Sequence, residues 1–370
     1  MKKVLVVAEN LSIDNGLGRY ALDIVRGLIN HYQVFILTSN PGQTNWQRFN
    51  IPVFLLPSWI RLNNPIVNFI QSLRYLGLTR QVDFIHFCSD FPYCVLFSWI
   101  PFFNKPRFIS AHGTFSIAPL DHWLHKYSLR RAFKKAKKVI SGSSFTKKQI
   151  LKRVKLKNII VINHGVDFNK FYRTDIIISK KNSQMLLGVG VLKNRKGFDI
   201  SIQAVAQLKS EFPYLKYYIV GDQSNVEYFN YLKQLVTDNN LKEVVIFLKN
   251  ISDEDLINLY YQTDVFILTP VVVKGNKFEG FGLVYLEAGA CAKPVIGTTD
   301  CGAEDAVKDG YSGLLVPQND VQATVQAIRK LLLNPDLARK LGANGSQLAR
   351  QSDWDNVFKK YQAIYESFIN

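Results

Sequence analysis

The sequence predicts an α/β protein built from two doubly wound domains that face each other across a cleft. Three observations carry that expectation. Short apolar runs alternate with amphipathic helical stretches twice along the chain. An irregular, polar stretch over residues 168–184 separates the two series. The length of 370 residues, at 47% hydrophobic and 20% charged, suits two ordinary globular domains better than one.

The first series opens with a strand at residues 3–8, whose apolar run is too short for a signal peptide. A loop carrying Asn15, Gly16, Leu17 and Gly18 follows. Next comes a helix on which Ala21, Ile24, Val25 and Leu28 share one face. Further strands read at 34–37, 84–87, 108–110, 139–140 and 159–162, with the spacing of a parallel sheet. Residues 1–168 therefore form the first domain. The second series has strands at 185–189, 217–220, 244–248, 265–269, 294–297 and 313–316. Its helices read at 199–209, 228–238, 253–262, 284–292 and 321–333, which gives a second domain over residues 185–350. An amphipathic helix from Trp354 closes the chain, over about residues 354–370. No segment reaches the roughly 20 apolar residues of a membrane span. The nearest, 91–103, is broken by Pro92 and Pro101. The four cysteines show no CxxC spacing and read as packed apolar residues in a reducing compartment.

Charge is distributed unevenly. The net formal charge is +17, yet residues 169–370 are nearly balanced, with 23 basic against 22 acidic residues, while 1–168 hold 23 against 7. Thirteen basic residues and no acid lie between His122 and Lys157. Such a block implies an acidic partner: an anionic lipid surface, an acidic substrate or nucleic acid. Part of it, residues 126–138, reads as a helix with Leu129, Ala132, Phe133 and Ala136 on its apolar face. The aromatic stretches at 58–60 and 91–103 are candidates for apolar contact with a membrane.

The stretch Glu279-Gly-Phe-Gly-Leu-Val-Tyr-Leu-Glu287 follows a strand and opens a helix. Gly280 and Gly282 leave backbone N–H groups bare at the positive end of that helix, which suits a diphosphate. The two carboxylates are eight positions apart, roughly 12 Å if helical. That is about the span of a nucleotide-sugar from sugar ring to ribose, so each acid can hold a different pair of hydroxyls. A second piece lies upstream. Gly188-Val-Gly190 ends a strand, and Lys193-Asn-Arg195-Lys196-Gly197 leads into the next helix, placing fixed cations beside a strand-to-helix loop. His112, in Ala111-His-Gly-Thr114, follows another strand end.

These residues give the chain its resemblance to the retaining glycosyltransferases of the GT-B fold, in the family numbered 4 (glycosyl transferases group 1). Glu279 and Glu287 resemble that family's signature of two glutamates with seven residues between them. The flanking segments 264–270, 288–296, 301–304 and 309–317 continue the match, which is unbroken from about Leu187 to Pro317. In the first half it survives at islands: the Gly16 loop, His112-Gly113, Ser143 and residues 164–167. The resemblance implies that Glu279 contacts the transferred sugar and that Gly280, Phe281 and Gly282, with Leu283 beside them, offer the donor-binding amides. It implies that Glu287 holds the ribose and that Lys196 with Arg195 binds the diphosphate. Gly16 and Gly18 would approach the donor phosphates from the first domain, His112 would sit near the sugar, and the C-terminal helix would cross back to the first domain. Glu279, His112 and Lys196 are the candidate catalytic residues. Where many members carry arginine after the glycine at position 190, this chain has Val191, and Arg195 is the candidate substitute. The first loop has Asn15-Gly16 in place of the usual double glycine.

The expected activity is transfer of a hexose from a UDP- or GDP-sugar to a hydroxyl of an envelope glycan or lipid-linked acceptor, with retention, at the inner face of the cytoplasmic membrane. No cofactor or metal is expected. Attack would come from the face the diphosphate leaves, whose oxygen takes the acceptor's proton. Three readings compete with this one. An epimerase or hydrolase of the same fold would turn over donor without acceptor. A nucleic-acid-binding protein would use the basic block, but the sequence has no RNP-like aromatic motif and no zinc spacing. An inactive scaffold is opposed by the intact Glu279, Lys196 and Glu287.

Overall fold

The computed structural model describes residues 1–12, 16–56, 70, 73, 75–100, 104–174, 184–275 and 277–369. The chain divides into two compact units, Met1–His164 with Trp354–Asn370, and Gly165–Asp353. Each unit is a wholly parallel sheet flanked by helices, the Rossmann-like arrangement of GT-B proteins.

The first unit's sheet contains β1 (Lys3–Asn10), β2 (Gln33–Asn40), β3 (Val53–Leu55), β4 (Phe84–Phe87), β5 (Arg107–Ala111), β6 (Lys138–Ser141) and β7 (Ile159–Val161). Their order is β3-β2-β1-β4-β5-β6-β7. The central strands β1, β4 and β5 are largely buried on both faces because helices cover both. α1 (Gly16–Ile29) buries Ala21, Ile24, Val25 and Leu28 as the spacing requires. Strand β3 escaped the sequence reading: it is a three-residue edge strand, partly exposed, and its short apolar run is hemmed by Pro52 and Pro57, which weaken a strand signal.

The helices α2 (Leu76–Arg80), α3 (Tyr93–Ser98), α4 (Gly113–Asp121), α5 (Trp123–Lys135) and α6 (Ser144–Leu151) complete the first half. α5 buries Leu129, Ala132 and Phe133. It ends three residues before the expected 138, because the Lys137 amide donates to the Arg107 carbonyl and the chain enters β6. The stretch suggested for membrane contact is corrected in part. Tyr93–Phe97 and Ile100 are core residues, while 58–60 and 101–103 lie outside the described residues.

The second unit begins with α7 (Phe168–Phe171), whose N-cap Asp167 accepts from the Lys170 amide. Phe168 and Phe171 are buried in this unit's core, so the first residues of the expected linker are structured. The sheet orders β10 (Val245–Leu248), β9 (Lys216–Val220), β8 (Met185–Val189), β11 (Val265–Ile267), β12 (Val295–Thr298) and β13 (Gly313–Val316), in that sequence. Around it run α8 (Phe198–Leu208), α9 (Val226–Asp238), α10 (Asp253–Gln262), α11 (Leu283–Ala290), α12 (Ala303–Ala306), α13 (Val321–Leu332) and α14 (Pro335–Gln351). α14 was not anticipated, although Asn334 caps it and Pro335 stands in its first turn, both ordinary helix-start signals.

α15 (Trp354–Ile369) belongs to the first unit and contributes Val357, Phe358, Tyr361 and Tyr365 to its core. The Tyr20 hydroxyl lies 3.0 Å from that of Tyr361 and 2.5 Å from Ser110 Oγ, and Tyr365 Oη is 2.8 Å from His86 Nδ1. Among the described residues no helix is long and apolar enough to cross a membrane. All four cysteines are buried and unbridged.

Candidate active site

In the second sheet β8 and β11 are neighbours, yet the chain winds outward from them in opposite directions. Loops leaving the carboxyl ends of two such strands are where doubly wound sheets hold ligands. Both loops carry residues singled out from the sequence.

The loop after β8 makes one 3₁₀ turn over Asn194–Lys196 and ends at Gly197 with φ +66°. A Cβ at position 197 would lie 1.8 Å from the Thr269 carbonyl oxygen, so only glycine fits. Two hydrogen bonds sew this loop to the segment after β11. Thr269 Oγ1 donates to the Gly197 carbonyl at 2.7 Å, and the Val271 amide donates to the Arg195 carbonyl at 3.0 Å. Gly190 leaves space for the lysine stem, because a Cβ there would sit 3.3 Å from Lys196 Cε.

These ties bring Lys196 and Arg195 to Glu279. Lys196 Nζ donates to Glu279 Oε2 at 2.5 Å and Arg195 Nη1 donates to the same oxygen at 3.1 Å. Both Glu279 and Lys196 are only 8% exposed. Burial alone would raise the carboxyl's pKa, but the two cations outweigh it and bring it down to about 2. One carboxylate against two cations leaves the spot positive. Arg195, the candidate substitute for the arginine that Val191 replaces, thus lies against Glu279.

Beyond Glu279 the backbone lies against Gly302, whose amide donates to the Glu279 carbonyl at 2.9 Å. A Cβ on Gly302 would be 2.1 Å from the Gly280 oxygen. Gly282, at φ +88°, turns the chain into α11, and the Tyr285 hydroxyl ties that helix to the Leu268 carbonyl at 2.7 Å. Phe281 is a core residue, so what it can offer a ligand is backbone. Leu283 is the first residue of α11. Glu287 follows one turn later, 8% exposed, and accepts from the Tyr260 hydroxyl at 2.8 Å. Tyr260, Tyr285, Thr269 and Gly302 were missed from sequence. The first three read there as helix or strand filler, and nothing in the local pattern marks their polar ends.

The first unit holds the remaining candidates at the carboxyl ends of β1 and β5. Gly16 starts α1, with open space where its Cβ would be. Gly18 is fixed by packing, since its Cβ would fall 2.2 Å from the Ser12 oxygen and 2.5 Å from Asn10 Oδ1. Asn15 lies outside the described residues. His112 caps α4 and is nearly buried. Its Nε2 is 2.8 Å from the Cys88 carbonyl oxygen, so that nitrogen carries the proton, and its amide donates to Ser116 Oγ at 2.7 Å. Burial lowers its pKa to about 4, against the opposing effect of the Cys88 bond, so the ring is neutral at pH 7. It stacks on His164 at 5.1 Å between ring centres.

Two parallel Rossmann-like sheets, with one glutamate before and one inside a glycine-led helix on the second, define a GT-B glycosyltransferase. Sequence profiles agree. "Glycosyl transferases group 1" matches residues 172–348 and "Glycosyltransferase Family 4" matches 14–170. The chain belongs to this glycosyltransferase family.

An uncharacterised glycosyltransferase of Methanocaldococcus jannaschii is 27% identical over 289 residues, 78% of this chain and 76% of that one. The GDP-mannose-dependent α-(1-6)-phosphatidylinositol monomannoside mannosyltransferase of Mycolicibacterium smegmatis is 35% identical over 157 residues, 42% of this chain and 40% of that one. Among solved structures, HepE of Anabaena in complex with UDP superposes with a TM-score of 0.84 at 20% identity, covering 99% of this chain and all of that one.

Proposed function

We propose that the protein is a retaining hexosyltransferase that takes its sugar from a UDP- or GDP-linked donor without a metal ion. The observation that carries this reading is the buried Glu279 carboxylate clamped by Lys196 and Arg195 at the mouth of α11. Two fixed cations and a bare helix end can stabilise a diphosphate as it gains charge. The bond from the anomeric carbon to the diphosphate oxygen breaks while the bond to the acceptor oxygen forms on the same face. The acceptor's proton passes to the departing oxygen. Glu279 orients the sugar, and Glu287 holds the ribose. The Anabaena and mycolicibacterial relatives, with UDP and GDP-mannose in their descriptions, support this choice of donors. The test is turnover of UDP- and GDP-hexoses with glycan and lipid-linked acceptors in excess EDTA, reading the anomeric configuration of donor and product by NMR. An inverted product, or activity lost in EDTA and restored by Mg²⁺, overturns the corresponding part.

The acceptor belongs to the cell envelope in this reading, and the first unit rests on an anionic membrane face. Support comes from α5, where Trp123 and Tyr127 are 77% and 65% exposed beside exposed Lys126, Arg130 and Lys134. Amphipathic aromatics among cations are what an interfacial helix carries. Each basic residue near such a surface contributes about 1 kcal/mol. Binding to vesicles containing acidic lipid should be stripped by salt and should fall for Trp123→Ala. Indifference to anionic vesicles at low ionic strength would overturn the membrane reading.

A further inference from the structure

Glu287 is a carboxylate with little access to water, held in the second turn of α11. A buried charge of this kind requires hydrogen-bond donors. One comes from the neighbouring helix: Tyr260, near the end of α10, donates its hydroxyl to Glu287 Oε2 at 2.8 Å. Tyr260 is fully buried, with its ring 5.9 Å from that of Phe171 and 5.8 Å from that of Phe266. A phenyl ring would fill that aromatic slot equally well, so the packing does not account for the hydroxyl.

We propose that Tyr260 is a positioning residue which fixes the carboxyl plane of Glu287 and so makes the site select ribonucleoside over deoxyribonucleoside diphosphates. The proposal rests on the reading of Glu287 as the ribose-holding group. The terminal torsion of a glutamate is broad and two-fold, so an untethered carboxylate rotates to suit whichever donor is present. A ribose offers two neighbouring hydroxyls, and a carboxylate receives both only when its plane lies along the line joining them. The Tyr260 hydroxyl, arriving at one oxygen from a rigid helix, sets that plane. With the plane set, a sugar lacking one hydroxyl leaves a buried acceptor lone pair unmatched. With the Tyr260 tether removed, the carboxylate turns more readily toward the remaining hydroxyl and the penalty shrinks.

The experiment measures UDP, GDP and their 2′-deoxy forms by calorimetry on the wild type, Tyr260→Phe, Glu287→Gln and the double variant, with kcat for each. Wild type should favour the ribo form by about tenfold, the size expected for one lost hydrogen bond to a charged group. In Tyr260→Phe that ratio should fall by at least about threefold through weaker ribo binding, with deoxy affinity and kcat within about twofold of wild type. In the Glu287→Gln background the same change should have no further effect on the ratio. A wild type that does not discriminate sinks the ribose reading of Glu287 and the proposal with it. A wild type that discriminates, a Glu287→Gln that does not, and a Tyr260→Phe that still does would leave Glu287 in its role and remove Tyr260 from it. Equal losses of ribo and deoxy binding in Tyr260→Phe would make the tyrosine a packing residue and overturn the proposal. Glu287→Gln probes the same contact from outside the aromatic slot, should Tyr260→Phe disturb folding.

Discussion

Replacing Glu279 with glutamine tests the centre of the site through stability as well as rate. In the folded protein the carboxyl's pKa is lowered from the ordinary 4.5 to about 2. That gap is worth about 3 kcal/mol at neutral pH, since each pKa unit is about 1.4 kcal/mol. The sign follows from the direction of the shift. A depressed carboxylate stabilises the fold at pH values above its unfolded pKa, and the contribution is lost as pH falls toward the folded one. By linkage, about 2 of the roughly 3 kcal/mol is gone by pH 3. Glu279→Gln removes the term at every pH and leaves Lys196 buried beside a neutral amide. Urea melts followed on the second unit should therefore show wild type ahead by about 3 kcal/mol at pH 7 and by about 1 kcal/mol at pH 3. On the proposed role the same variant should lose most of its kcat while binding free UDP or GDP at least as well as wild type. A stability gap independent of pH would refute the charge-pair reasoning. A nucleotide affinity that collapses together with kcat would refute the assignment of Glu279 to the sugar.

Two further expectations concern other buried acids. Glu287→Ala should weaken nucleotide binding by about 1–3 kcal/mol, through loss of a charged hydrogen bond, while kcat at saturating donor changes little; titration of free nucleotide and steady-state kinetics check both. Asp90, 1% exposed, has its pKa raised to about 6 by burial, with Oδ2 lacking a hydrogen bond. A raised carboxyl favours the folded state at low pH, so stability should decline as pH climbs through 4 to 6. Asp90→Asn should flatten that decline, which melting temperatures across the range would show.

The second domain was largely legible because its signals are local. Its six strands are short apolar runs separated by helices with clear periodicity, and Ser252 at the head of α10 is an ordinary cap. Glu279, Lys196 and Glu287 stood out because glycines beside charges at strand-to-helix joints are unusual in a packed interior. Long-range geometry stayed hidden. That Arg195 and Lys196 share one oxygen of Glu279, 83 or 84 positions away, depends on Gly197 lying under Thr269, which no local pattern encodes. Tyr260 was unreadable for the same reason: its hydroxyl matters only through a residue on another helix. In the first domain the edge strand β3 is only three residues long, and the prolines at 52 and 57 beside its apolar run weaken the strand signal. The apolar 91–100 stretch looked available for a membrane because composition alone does not separate a buried helix from an interfacial one.

The last helix has a consequence for how the protein is made. α15 follows all of the second unit in the chain, yet Tyr361 and Tyr365 lie at the centre of the first unit's core, bonded to Tyr20 and His86. A ribosome therefore delivers the first unit without one of its walls and then makes 189 residues of another unit, Gly165–Asp353, before supplying the missing piece. At about 5–20 residues per second the wait is on the order of 10–40 s. Throughout it the apolar faces of β1, β4 and α1 have no tyrosine helix to cover them, and by its end the second unit has every residue of its own core. The two halves should thus mature out of order, the later one first, and the nascent first half is where a chaperone would be needed.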